Sequence, residues 1–306
     1  FKRFFDQLLD LAFEQKPEAI ICIDNPGFNL RFVRALRQRA AGTDWRPRII
    51  YYISPQLWAW HSSRVYQIAR DVDLLLSIFP FEKEWYAKRA PGLPVEFVGH
   101  PLCDRCPDLE FREPHELHDP PRLLLLPGSR AKEISRHLPT MAAAARKLSV
   151  EPMIVFPNES LAAQARLITP AVEDWDLRIG GLHEALAEAD VAIASSGTVT
   201  LECAWFRVPT VVLYKTSWIT YLLGRLFVKI KHIAMPNVLA EREVFPEFIQ
   251  RAATPQSLAR EASRFLDNTS RRKTLRADLN QIAQTLGQKG AAPRAAKAVV
   301  RLLADA

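Results

Sequence analysis

The stretch Ala189-Asp190-Val191-Ala192-Ile193-Ala194-Ser195-Ser196-Gly197-Thr198-Val199-Thr200-Leu201-Glu202 decides the fold. Its opening apolar run, bounded by polar residues, has the pattern of a buried strand. Small residues then turn the chain and a helix opens. A second apolar run, Val208-Pro209-Thr210-Val211-Val212-Leu213-Tyr214, supplies the next strand. Strand, tight turn, helix and strand make the repeating unit of a parallel sheet.

That turn also carries chemistry. Small residues opening a helix leave backbone N–H groups unpaired at the positive end of the helix dipole, which favours phosphate. Glu202 falls about one helical turn further on, where a carboxylate accepts hydrogen bonds from vicinal sugar hydroxyls. Diphosphate plus ribose points to a nucleotide, the leaving group of a nucleotide-sugar. The competing reading is an ordinary strand-turn-helix with Glu202 as a satisfied cap.

Working outward, strands and helices alternate throughout. Strands are expected at 19–24, 48–53, 73–79 and 95–98, then at 122–126, 153–156, 177–179, 191–194 and 210–213. Helices are expected at 1–15, 30–40, 63–70, 134–148, 160–167 and 182–187, with a helical tail from Pro255 onward. Between 106 and 121 the texture turns rich in Pro, His and acid, which marks a linker. The expected domains are 1–112 and 113–290, with a helix at 291–306 packing back on the first.

The chain has 306 residues, 48% hydrophobic and 25% charged, enough for two globular domains rather than a disordered protein. Its longest stretch without Asp, Glu, Lys or Arg, 49–63, contains Pro55, Gln56 and His61 and is no membrane span. Four cysteines make no disulfide framework, so a reducing cytoplasm is expected. Cys103-Asp104-Arg105-Cys106 lacks the second pair that a zinc site needs.

The net charge is +7. No zinc-finger spacing or RNA-recognition signature accompanies it, so nucleic acid is not the expected partner. Between Glu202 and Glu241 there is no acidic residue. Arg207, Lys215, Arg225, Lys229 and Lys231 alternate there with Trp205, Phe206, Trp218 and Phe227. That mixture suits an anionic lipid surface or an acidic lipid substrate, and equally a helix with a core face and a basic face.

Motif residues fall just after strands, where a doubly wound sheet places its ligand crevice. The Leu-rich run 123–126 leads into Pro127-Gly128-Ser129-Arg130. Gly128 permits a close turn, and the Arg130 guanidinium can clamp a diphosphate. Asp24, before Asn25-Pro26-Gly27, is either a general base facing the cleft or a cap for the following helix. Trp58 and Trp60, with Arg64 nearby, can floor a sugar or acyl site or pack in the core. Gly99-His100-Pro101 aims a His at the cleft, as either a structural or a proton-transferring group. Asn237, in Met235-Pro236-Asn237, can bond a nucleobase edge or a phosphate oxygen.

Together these segments resemble the lipid-A-disaccharide synthases, glycosyltransferases of the GT-B fold. The matching phrases are Ile23-Asp24 with Phe28-Asn29, Tyr52-Ile53-Ser54-Pro55 with Trp58-Ala59-Trp60, and Phe79-Pro80-Phe81-Glu82-Lys83. Further matches are Phe97-Val98-Gly99-His100-Pro101, Leu126 through Arg130, Ser196-Gly197-Thr198 with Leu201-Glu202, and Pro236-Asn237 with Leu239-Ala240. They stand in family order, and the Ser-Pro-x-x-Trp-Ala-Trp phrase is specific to this family.

The resemblance implies an α/β GT-B fold of two doubly wound, Rossmann-like domains facing a cleft. The family's leading strand and Gly-Glu-x-Ser-Gly-Asp loop are absent here, so the N-terminal domain is expected to be incomplete and association into a homodimer is allowed. The implied reaction moves 2,3-diacylglucosamine from UDP to the 6-hydroxyl of 2,3-diacylglucosamine 1-phosphate with inversion, releasing UDP. No metal or cofactor is expected. Gly128, Ser129, Arg130, Ser196, Gly197, Thr198, Glu202 and Asn237 would bind UDP. Asp24 would be the base, and Trp58, Trp60, Arg64 and His100 would lie on the acceptor and lipid side. The implied location is cytoplasmic, peripheral to the anionic inner membrane of a Gram-negative bacterium. The alternatives are another GT-B UDP-sugar enzyme, or a non-catalytic remnant that binds UDP or lipid.

Overall fold

The computed structural model describes residues 2–106, 116–218, 221 and 230–304. These fall into two compact units, residues 2–105 with 285–304, and the described part of 106–284. The expected boundary at 112–113 lies outside the described residues. The tail joins the first unit from 285, slightly before the expected 291.

In the first unit, α1 (Lys2–Gln15), β1 (Ala19–Ile23), α2 (Pro26–Ala40) and β2 (Arg48–Tyr52) alternate. They are followed by α3 (Val65–Asp71), β3 (Leu74–Ser77), α4 (Pro80–Ala87), β4 (Val95–Phe97) and the short α5 (Leu102–Arg105). The strands form a parallel sheet in the order β1-β2-β3-β4. Strand side chains alternate between faces. Ile49 and Tyr51 join Val33, Leu36 and Ile68 in one core cluster. Ile50 joins Leu74, Leu76 and Val98 on the other face, where Ala295 and Ala298 of the C-terminal helix Ala291–Ala304 cover them. Each fully buried Ile or Leu contributes about 1.5–3 kcal/mol, so both faces of β2 hold this unit together. Among the described residues β1 pairs only with β2, and its Ile21 and Ile23 stay exposed.

The second unit alternates β5 (Arg122–Leu126), α6 (Ala131–Ala145), β6 (Glu151–Phe156), α7 (Glu159–Ile168), β7 (Asp176–Ile179) and α8 (Leu182–Glu188). Then come β8 (Val191–Ser195), α9 (Val199–Trp205), β9 (Thr210–Tyr214), α10 (Met235–Ala240), β10 (Glu247–Ile249) and α11 (Pro255–Asp267). All six strands are parallel, in the order β10-β9-β8-β5-β6-β7. Leu123, Leu124 and Leu125 of the central β5 are wholly buried, as a strand covered on both faces must be.

The strand order reverses between β5 and β8, the position where a doubly wound sheet opens a ligand crevice. Leu126 is registered with Ala194. The turns Pro127–Arg130 and Ser196–Thr198 therefore leave the sheet side by side.

Helices α2 and α6 start earlier than expected, and α4, α5 and α10 are not among the expected helices. The chain enters α2 at Pro26, four residues before the expected start at 30, because proline's fixed φ and missing N–H suit the first helical turn. The N-cap position belongs to Asn25, so the reading of Asp24 as a helix cap is corrected. Pro80 likewise opens α4, a segment quoted above only as a motif.

Candidate functional site

In the second unit, the turn after β5 is shaped by Glu133 on α6. Its Oε2 accepts the Ser129 backbone N–H at 3.1 Å, and its Oε1 accepts from Arg130 at 3.0 Å. Gly128 sits at φ +125°, and a Cβ there would lie 2.6 Å from Glu133 Oε2. Only glycine fits both the conformation and the space. The Arg130 side chain remains 80% exposed despite its ion pair, so its outer N–H groups face solvent.

His137, further along α6, is fully buried. Its Nδ1 donates to Pro127 O at 2.8 Å, and its Nε2 accepts from the Lys215 N–H at 3.1 Å. One ring therefore ties the turn after β5 to the segment after β9. Burial lowers its pKa, which keeps the ring neutral and able to accept at Nε2.

The turn after β8 is open. Gly197 and Thr198 are exposed, and their backbone N–H groups have no acceptor among the described residues. Ser196 Oγ donates to Ile233 O at 2.9 Å, joining this turn to the segment leading into α10. Glu202 is half-buried on α9, with its carboxylate 3.9 Å from His183 Nε2 on α8.

Asn237 does not present its side chain to a ligand. It is wholly buried, donating to Phe245 O and Glu247 Oε1 and accepting from the Val244 and Phe245 N–H groups. Every hydrogen-bonding position of that amide is used. Glu247 in turn accepts from the Ile233 and Ala234 N–H groups. The expectation that the Asn237 amide holds UDP is corrected to a supporting role: it fixes the segment beside Ser196.

In the first unit, the residues after β1 and β2 adopt conformations that L-residues rarely take. Asp24, Asn25 and Ile53 have φ of 46°, 41° and 63°. For the β-branched Ile53 this is a strained conformation, of the kind that clusters at functional sites. The Asp24 carbonyl is held by Tyr51 Oη at 2.6 Å and Asn29 Nδ2 at 2.7 Å. Its side chain is exposed and makes no hydrogen bond or ion pair among the described residues.

Trp58 is half-buried, with its indole N–H donating to Glu82 Oε1 at 3.1 Å and its ring edge-on to Phe81. Trp60 is exposed and packs beside His61, and Arg64 is half-buried in the single turn Ser62–Arg64. His100 departs from expectation. It is buried, its ring lies against Phe79, and its Nδ1 accepts the Leu102 N–H at 3.0 Å. Burial, with Arg105 nearby, lowers its pKa to about 4. A buried ring with its Nδ1 already engaged is a structural group rather than a proton acceptor for substrate, and it presents little surface to a lipid.

The basic-aromatic interval is also corrected in part. Arg207 bonds Asn280 and Lys215 bonds Thr140, so both turn inward. Arg225, Phe227 and Lys229 lie outside the described residues. Trp218 is exposed beneath the Arg251 guanidinium.

Known proteins resemble this chain in sequence and in fold. A family model described as lipid-A-disaccharide synthetase matches residues 1–300. The lipid-A-disaccharide synthase of Myxococcus xanthus is 37% identical over 97% of this chain and 78% of its own length. Among solved structures, a co-structure of S. aureus MnaA with UDP aligns with a TM-score of 0.65 at 11% identity, covering 99% of this chain and 80% of that one. The calicheamicin glycosyltransferase CalG4 aligns at 0.59 and 14% identity, covering 98% and 77%.

Proposed function

The chain belongs to the lipid-A-disaccharide synthase family, and from that premise we propose that it transfers 2,3-diacylglucosamine from UDP to the 6-hydroxyl of 2,3-diacylglucosamine 1-phosphate. It is a GT-B glycosyltransferase of lipid A biosynthesis, and the two substrates and the division of labour below are the finer reading.

One observation carries the donor half. The turns Gly128–Arg130 and Ser196–Thr198 leave neighbouring strands at the reversal of strand order, with a cation on one and open N–H groups on the other. Charge builds on the departing UDP as the glycosidic bond breaks. Arg130 and the open backbone groups neutralise it, the kind of fixed electrostatic stabilisation that lowers such barriers most. Glu202 takes the ribose hydroxyls. Gly128 and Ser129 let the backbone approach, and Ser196 keeps its turn in register with the Asn237–Glu247 segment.

Asp24 is the base. Inversion requires one group to remove the acceptor's 6-hydroxyl proton as that oxygen attacks the anomeric carbon. Asp24 has an exposed carboxylate on a clamped, left-handed turn, whereas the His100 ring is buried with its Nδ1 engaged by the Leu102 N–H. Trp58, Trp60 and Arg64 line the acceptor side, with apolar rings for acyl chains and a cation for the 1-phosphate. The enzyme works in the cytoplasm against the anionic inner membrane. Among the described residues no helix is long and apolar enough to cross a membrane.

The test is product formation from both purified substrates in detergent micelles, with UDP release measured in the same samples. Stoichiometric disaccharide 1-phosphate and UDP would support the reading. UDP binding with no turnover would replace it with a non-catalytic UDP-binding protein.

A further inference from the structure

The amino ends of β2 and β3, opposite the strand ends discussed so far, hold a second concave feature. Four arginines surround a cavity of about 410 Å³. Its frame is rigid. The Arg37 guanidinium donates to Asp71 O and Pro47 O, each at 3.1 Å, and to Asp73 Oδ2 at 2.5 Å. Asp73 Oδ2 also accepts the Ile49 N–H at 2.6 Å. Arg70 is fixed to Asp71 by two bonds of 2.7 Å.

Those contacts match two guanidinium groups with two carboxylates. Arg46 and Arg48 are left over. Both line the cavity, and neither side chain makes an ion pair or hydrogen bond among the described residues. Arg48 is nevertheless anchored through its backbone, whose N–H donates to Glu18 O at 2.8 Å as β2 registers with β1. The cavity therefore carries two uncompensated positive charges on a fixed frame, flanking Pro47.

We propose that this cavity is a second anion site, which takes a phosphate monoester or diester between Arg46 and Arg48. Two guanidinium forks offer more N–H donors than a carboxylate's two oxygens accept, and they suit the tetrahedral oxygens of a phosphate. The site is separate from the proposed transfer chemistry. Strand β2 puts about 16 Å between Arg48 and the strained turn at Ile53, at roughly 3.3 Å per residue. The phosphate can come from an acidic phospholipid headgroup or from a free phosphate compound.

The experiment uses the full chain at low ionic strength, because exposed charge pairing weakens as salt screens it. Inorganic pyrophosphate is titrated by calorimetry with UDP at saturation, so that the donor site is filled. Flotation with vesicles of phosphatidylcholine, with and without phosphatidylglycerol, forms the second arm. Arg46→Ala with Arg48→Ala is the test variant, and Arg46→Lys with Arg48→Lys preserves charge without the forks. Thermal unfolding and UDP affinity, expected unchanged, report on folding and on the donor site.

The proposal expects the Ala pair to weaken pyrophosphate binding about tenfold or more, as loss of charge-assisted hydrogen bonds implies, with the Lys pair between it and the parent. A headgroup source adds loss of flotation on phosphatidylglycerol vesicles in the Ala pair. A free-phosphate source leaves flotation unchanged. Equal pyrophosphate binding by parent and Ala pair, or none by either, together with flotation that the Ala pair does not alter, would overturn it.

Discussion

The indole N–H of Trp58 donates to Oε1 of Glu82 at 3.1 Å, and that carboxyl is wholly buried. Its other oxygen accepts the Phe79 backbone N–H at 3.2 Å, where α4 begins. One side chain thus joins the Trp58–Trp60 segment to the helix beneath it. Burial raises the Glu82 pKa to about 7, partly offset by the bonds from Trp58 and Phe79.

Glu82→Ala should destabilise the protein by about 3 kcal/mol, because it leaves buried donors on Trp58 and Phe79 without acceptors. Chemical denaturation at pH 6 measures this. Glu82→Gln keeps one acceptor and should fall between the two. An Ala variant as stable as the parent would show that the buried carboxyl does not hold this segment.

Glu82 and His100 should act on stability with opposite pH dependence. Glu82 has a folded pKa raised above 4.5, so its contribution is complete below pH 4.5 and is lost as pH rises through about 7. His100 has a folded pKa lowered from 6.5 to about 4, so its contribution is complete above pH 6.5 and is lost as pH falls toward 4. His100→Asn retains an acceptor for the Leu102 N–H but does not titrate. Unfolding curves between pH 4 and 6.5 should show a smaller acid loss in this variant than in the parent. Equal losses would remove His100 as the cause.

Most of the fold was legible from sequence because parallel strands buried on both faces are continuous apolar runs, as in 123–126 and 191–194. The exceptions have physical causes. β10 is only Glu247–Ile249, and its Glu breaks the apolar pattern while serving the Asn237 network. α4 begins with Pro80 and carries Glu82, Lys83 and Glu84 in its first turns, so it shows little apolar periodicity. At the site, Gly128, Arg130 and the turn 196–198 were legible because they follow strands. His137, Glu133 and Glu247 were not. His137 and Glu247 act through backbone groups distant in sequence, which leaves no spacing to read, while Glu133, four residues past Ser129, reads as an ordinary first-turn carboxylate. Asn237 and His100 were found for their residue type, but burial gives them structural work.

Gly128→Ala should lower UDP affinity roughly tenfold or more, through a strained positive φ and a clash with Glu133. Adding Glu133→Ala removes the contact with the carboxylate, but the residue's Cβ, 2.7 Å from the added methyl, and the strain both remain, so it should recover only part of the loss. Calorimetric titration of UDP into both variants distinguishes these terms. Full recovery in the double variant would mean that neither the positive φ nor the remaining Cβ contact carries a cost, and unaltered affinity in Gly128→Ala would take this turn out of the UDP site.

The central claim divides the work between Asp24 and Arg130, and turnover measured beside UDP affinity tests it most directly. Disaccharide formation from saturating substrates in detergent gives kcat, and calorimetry gives the UDP Kd. The account predicts that Asp24→Asn loses kcat by about 100-fold or more while keeping the parent Kd for UDP. Arg130→Ala should lose both, with kcat down by about 100-fold, as for removal of a donor to developing negative charge. An Asp24→Asn variant with parental turnover, or an Arg130→Ala variant with parental Kd and kcat, would contradict it.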